Sequence, residues 1–179
     1  LRYIKILGGE PLLDKYLLKK LSEIPAKQKA KINLQIVTNG SMDLLEAKNY
    51  LGDFDEIQFT ISLEGIGQVQ EYARHFSNWK QIEKNILNFA KAHPTNLVIH
   101  YTLQTTTILG LQNLIDWLKK NNLSFSVGVC DRPKHLGFSS LPNVVRDAIK
   151  NNLNKTTEIK QNSFGDLDTI SFDKIVKYI

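Results

Sequence analysis

Two hydrophobic periods take turns along this chain, and their regular exchange is the feature that most narrows what it can fold into. Short runs of apolar residues, several strictly alternating with polar ones, are separated by stretches whose apolar residues recur at three and four positions. The first pattern belongs to strands and the second to helices. The runs predict strands at about residues 3–7, 33–38, 56–62, 97–103 and 124–129. Helices are predicted at about residues 14–23, 43–51, 79–92, 109–121 and 144–153, with a long connection ahead of Trp79. Five strands separated by helices call for parallel pairing through right-handed crossovers, an α/β fold. At 179 residues and 42% hydrophobic content the chain can bury one substantial core, and a single domain is expected.

The strands carry a second signal. A sheet covered by helices on both sides has central strands that are apolar on both faces. Here Ile57, Phe59, Ile61 and Leu63 oppose Gln58, Thr60, Ser62 and Glu64. Leu97, Ile99, Tyr101 and Leu103 oppose Val98, His100, Thr102 and Gln104, and Phe125, Val127 and Val129 oppose Ser124, Ser126, Gly128 and Cys130. One apolar and one polar face on three neighbouring strands suggest a curved sheet with helices outside and a wet concave interior, a barrel or part of one. In such folds chemistry gathers at the carboxyl ends of the strands. Those ends are Gly8-Gly9-Glu10, Thr38-Asn39-Gly40, Ser62-Leu63-Glu64-Gly65, Gln104-Thr105-Thr106 and Cys130-Asp131-Arg132.

The first of these ends is the most informative. Tyr3, Ile4, Ile6 and Leu7 read as a buried strand, and Leu17, Leu18 and Leu21 as the apolar face of the helix that follows, so Leu7-Gly8-Gly9-Glu10-Pro11-Leu12 is a strand-to-helix loop. Two glycines open backbone conformations closed to other residues and let a ligand approach the main chain. Pro11 biases Glu10 toward an extended conformation and suits a first helical position. A carboxylate with outward carbonyls suits an ammonium group, whereas a phosphate would call for Gly-rich amides and a lysine. The alternative is a tight turn whose glycines serve backbone geometry alone.

Charge excludes little by itself. The chain carries 23 Lys and Arg against 18 Asp and Glu, a net charge of +5. The densest basic patch, Lys15, Lys19, Lys20, Lys27, Lys29 and Lys31, has no interleaved aromatic residues and reads as a solvated helix face, so no nucleic-acid partner is expected. One cysteine, Cys130, allows no internal disulfide, and a cytoplasmic location is expected. No apolar stretch reaches membrane-span length, and no membrane partner is expected. The chain opens at Leu1 directly before a strand, and it stops within a helical pattern of Phe172, Ile175, Val176 and Ile179 that Ser171 would cap. It reads as an internal piece of a longer protein. Residues 1–153 form the expected core, and residues 154–179 a linker and the start of a C-terminal accessory region.

A strand ending in Gly8-Gly9-Glu10-Pro11, a second ending in Thr38-Asn39-Gly40, and a third ending in Ser62-Leu63-Glu64-Gly65, followed by Glu71-Tyr72-Ala73-Arg74 and Trp79, resemble the radical S-adenosylmethionine (AdoMet) enzymes, most closely members with a twitch or SPASM region. The resemblance runs from about Ile4 to Leu153. It implies a partial (β/α)6 TIM-like barrel with about five parallel strands present, corresponding to strands two to six. It also implies that Gly8, Gly9 and Glu10 hold the methionyl ammonium of AdoMet. Ser62 and Arg74 would serve the ribose and the methionyl carboxylate, a guanidinium fork being matched to a carboxylate. Thr38, Asn39 and more loosely Gln104 would line the adenosyl side. His100, Cys130 and Arg132 would face substrate, as would Glu64, which stands where the family usually has Asp. In the intact protein a [4Fe-4S] cluster and an electron donor would convert AdoMet to a 5′-deoxyadenosyl radical that abstracts hydrogen from a peptide or small-molecule substrate, the cofactor carrying the hard chemistry.

The chain departs from the family in one decisive way. A cluster needs several thiolates, and this sequence has one cysteine, at the wrong end. The expectation is that the first strand and its cysteine loop lie upstream of Leu1, that no metal site is present in the 179 residues, and that no catalytic residue can be assigned within them. Plainer readings stand beside these assignments. His100 also reads as a hydrogen-bonded interior histidine, Cys130 as a small buried side chain, Arg74 as a loop ion pair, and Trp79, Ile82, Ile86 and Phe89 as core. Two other functions also fit: a relative that binds a nucleoside or amino acid without turnover, and a conventional barrel enzyme using Glu64 or His100 as acid or base.

Overall fold

A computed structural model describes residues 2–130, 132–137 and 140–153. Its strands are β1 (Tyr3–Ile6), β2 (Asn33–Thr38), β3 (Glu56–Leu63), β4 (Leu97–Leu103) and β5 (Ser124–Val129). Its helices are α1 (Lys15–Ser22), α2 (Ala26–Lys29), α3 (Leu44–Leu51), α4 (Gln68–Ala73), α5 (Trp79–Ala92), α6 (Leu111–Lys120) and α7 (Asn143–Leu153). The strands form one parallel sheet in the order β1-β2-β3-β4-β5, each beside the next in sequence. In register, Ile4 lies opposite Leu34, which lies opposite Ile57, and Thr38 lies opposite Ile61. The segments expected beyond Leu153, the linker and the helix after Ser171, lie outside the described residues.

Two compact units divide the chain, one of Leu1–Ser62 with Phe76–Ile99 and one of Leu63–His75 with the described part of His100–Ile179. In the first unit, α3 packs on both α1 and α5. Leu34, Ile36, Ile57, Phe59 and Ile61 are buried with Leu44 and Leu51 of α3 and with Ile82, Ile86 and Phe89 of α5. The Phe59 and Phe89 rings meet edge to face at 5.0 Å. Local signals set the helix starts: Asp14, Asp43 and Asn78 each accept a first-turn amide from their own helix. The second unit buries Tyr101, Leu103 and Val127 of its strands with Leu111, Leu114, Ile115 and Leu118 of α6. There α4 packs its Val69 against Gly65 and Gly110.

Four expectations change. β1 is not a buried strand: Tyr3 is 53% and Leu7 62% exposed, because β1 is the edge of the sheet and pairs with β2 alone among the described strands. Polar positions on β2 and β3 are partly dry, since buried Gln35 donates to Gln58 and Thr60 and accepts from Tyr3, closing a side-chain ladder. The connection ahead of Trp79 contains α4, whose six residues are too short to show a helical period. Lys29 is not part of a solvated face: it is buried, and its ammonium donates to the Ser22 carbonyl at 3.0 Å and the Leu51 carbonyl at 2.5 Å. It thereby satisfies acceptors at the ends of α1 and α3.

Candidate functional site

Where β1 ends, the backbone turns through two residues with left-handed angles, Gly8 at φ +92° and Gly9 at φ +55°. A Cβ on either would meet no atom within 4 Å, so the glycines answer to backbone conformation and the space beside them is open. Glu10 is then extended, and Pro11 opens a 3-10 turn over Pro11–Leu13. The Glu10 carboxylate gathers three donors. Oε1 accepts from the Thr38 hydroxyl at 2.5 Å and the Leu12 amide at 3.3 Å, and Oε2 accepts from the Asn39 amide at 2.7 Å. A carboxylate offers about four acceptor positions, so this one is fixed in place with capacity left for a further donor.

The chain that delivers those donors is itself braced. Thr38 Oγ1 accepts the Gly40 amide, and Asn39 Oδ1 accepts the Ser41 amide, so Asn39 meets Glu10 through its main chain while its side-chain oxygen closes the turn. Five of the sequence-derived residues therefore come together in the first unit: Gly8, Gly9, Glu10, Thr38 and Asn39. Ser62 is half-buried at the carboxyl end of β3.

The second unit holds another constellation. Arg74, just after α4, grips the Glu64 carboxylate bidentately, through Nε to Oε2 and through Nη2 to Oε1 at 2.8 Å. The Glu64 amide donates to Gln70 Oε1 at 2.8 Å, and Gln70 is fully buried, so the loop between β3 and Arg74 closes on itself. This is the loop ion pair that the sequence allowed for Arg74. His100 Nδ1 lies 2.9 Å from the Ser126 hydroxyl, and its ring rests on Gly128, where a Cβ would stand 3.1 Å from Nε2. The hydrogen-bonded interior histidine matches this geometry. Gln104 is half-buried, and its carbonyl accepts the Thr107 and Ile108 amides. Arg132 is exposed, while half-buried Cys130 donates its thiol to the Arg132 carbonyl at 3.3 Å.

Tyr101, the largest fully buried side chain among the described residues, shares a hydrogen bond with Thr107. Burial is the main cause that pushes its hydroxyl up to about 12; the Thr107 bond opposes the shift and the Glu64 charge adds to it. Gln70 and Ser126 are partners of the candidate residues that the motifs did not reveal. Among the described residues no group of three His, Cys, Asp or Glu side chains is arranged to hold a metal ion, and no helix is long and apolar enough to cross a membrane.

No family model matches this chain, and neither does any curated protein. Its fold is similar to a solved structure of native anSMEcpe with bound AdoMet and Cp18Cys peptide, at a TM-score of 0.60 and 14% identity. The similarity covers 86% of this chain and 46% of that one, so this chain spans less than half of its neighbour's length. At that identity the likeness is one of fold: five parallel strands with helices, an α/β partial barrel as expected from the strand pattern.

Proposed function

We propose that this chain is the AdoMet-binding core of a radical AdoMet enzyme, with the turn after β1 as its ammonium site. The observation that carries this reading is the Glu10 carboxylate, oriented by Thr38, Asn39 and Leu12 beside two left-handed glycines with open space around them. An α-ammonium donates up to three hydrogen bonds and suits an anchored carboxylate, an interaction about twice as strong as a neutral one. The order of the motifs and the fold-level likeness to a chain that holds AdoMet support the choice of ligand.

The remaining roles follow the same motifs. Thr38 and Asn39 carry the adenosyl side as well as Glu10, with Gln104 contributing there, and Ser62 serves the ribose. Arg74 serves the methionyl carboxylate, sharing its guanidinium with Glu64, which fixes its direction. A peptide is the substrate class we propose, supported by the peptide in the similar structure, with His100, Glu64 and Arg132 on the substrate side.

The [4Fe-4S] cluster that the resemblance implies does not fit these residues. Such a cluster takes several thiolates, and the sequence offers Cys130 alone. Radical generation, and the electron donor it needs, therefore belong to the intact protein, and the resemblance is what supports them. What these residues do is bind and orient the ligand.

The single cysteine favours one second reading, a relative that binds the same ligand without turnover. No observation singles out a conventional acid–base enzyme: the Glu64 carboxylate is paired with Arg74, and His100 Nδ1 lies at the Ser126 hydroxyl. Calorimetric titration with AdoMet tests the binding claim. Glu10→Gln, which keeps shape and removes charge, is expected to weaken binding by about ten- to a hundredfold. Equal affinity in the wild type and the variant would contradict the assignment of the ammonium site.

A further inference from the structure

The loop that supplies Thr38 and Asn39 is held from the opposite side by one side chain. Asn85, in the middle of α5, is 2% exposed, and its Nδ2 reaches three consecutive carbonyls: Gly40 at 3.0 Å, Ser41 at 3.1 Å and Met42 at 2.9 Å. Its Oδ1 accepts from Gln81 one turn earlier at 2.8 Å, which fixes which end of the amide faces the loop. Gly40 sits tightly in the same place: with φ +76°, a Cβ there would stand 3.1 Å from Ile61 and 3.4 Å from Ile82. A buried polar group amid Ile82, Ile86 and Phe89 is costly unless every bond is made, and here the bonds converge on one loop. That loop is the one whose first residues donate to Glu10.

We infer that Asn85 is a positioning residue for the Glu10 site, acting through the carbonyls of Gly40, Ser41 and Met42 to set the Thr38 hydroxyl and the Asn39 amide on the carboxylate. The inference concerns the first unit alone, and its consequence for ligand binding rests on the proposed function. A helix core thus sets the geometry of a site it does not touch, because the loop has two anchors, Asn85 on one side and Glu10 on the other. Replacing the amide by a carboxylate of the same shape turns two donors into acceptors facing three carbonyls, so the loop must move away.

The test compares Asn85→Asp and Asn85→Ala with Phe89→Leu, a core change on the same helix that lowers stability without touching the loop, in the 179-residue chain. Two readouts are taken: the Asn39 amide and Glu10 carboxylate resonances without ligand, and AdoMet affinity by calorimetry. Both Asn85 variants are expected to move the Asn39 and Glu10 resonances and to weaken AdoMet by about tenfold or more, the scale seen when groups that orient a binding residue are removed. Phe89→Leu should lower the melting temperature and leave both readouts as they were. If the resonances move but the wild type binds no AdoMet, the positioning role stands and the proposed ligand falls. Unmoved resonances in a folded Asn85→Ala, or an equal change in Phe89→Leu, overturn the inference.

Discussion

At the scale of the residue, the site depends on conformations and charges that few side chains supply. Gly9 holds φ +55° with nothing near its would-be Cβ, so Gly9→Ala introduces backbone strain without a clash. It should cost about 1 kcal/mol in urea unfolding, the penalty for a left-handed L-residue, and an unchanged midpoint would mean that the turn relaxes freely. Tyr101 gives a pH signature. Its unfolded hydroxyl titrates near its ordinary 10.0 and its folded one at about 12, so between those values the unfolded chain has lost a proton that the folded chain keeps. Stability must therefore fall as pH rises through that window. Urea midpoints measured at pH 8 and pH 11 should drop more in the wild type than in Tyr101→Phe; equal drops would remove Tyr101 as the source. Residue identity was legible at Gly8-Gly9-Glu10-Pro11, where each residue has its own conformational reason to be there. The Glu64–Arg74 pair was not, since the ten positions that separate them cross a turn and the short α4 and carry no period that would announce a contact.

Among the elements, period predicted most of what forms. β2, β3, β4, α5 and α6 appear close to where alternation or helical spacing put them. β1 was found but its environment was misread, because four apolar residues look alike on an edge and in a core. Lys29 was misread for a related reason: lysines clustered in sequence look solvated, and the backbone fold of α2 is what turns this one inward toward Ser22 and Leu51. Lys29→Met keeps the stem and removes the ammonium, leaving two helix-end carbonyls without that donor. It should cost about 1–3 kcal/mol in urea unfolding, and a loss within experimental error would show that water replaces the bonds. Asn85 left a faint trace, an amide at helical spacing from Ile82 within a buried stripe; nothing in the sequence says which carbonyls it meets.

For the whole molecule, the order β1-β2-β3-β4-β5 brings successive strands side by side, and the carboxyl ends of the first two supply one carboxylate and its donors. That architecture was readable because strands and helices alternate along the chain and β3, β4 and β5 each have one apolar and one polar face. The partners of the candidate residues were not, because neither period nor spacing says that Gln70 and Arg74 turn back onto Glu64 or that Ser126 meets His100. The fold-level likeness to an AdoMet-bound structure covers less than half of that longer chain, and the function proposed for these residues is AdoMet binding alone. It is tested most directly by titrating AdoMet into the isotope-labelled 179-residue chain and following backbone amides. Saturable shifts led by Gly8, Gly9 and Asn39 are expected, all weakened together in Glu10→Gln. Absence of shifts at millimolar AdoMet, or shifts confined to residues away from the Glu10 turn, would contradict it.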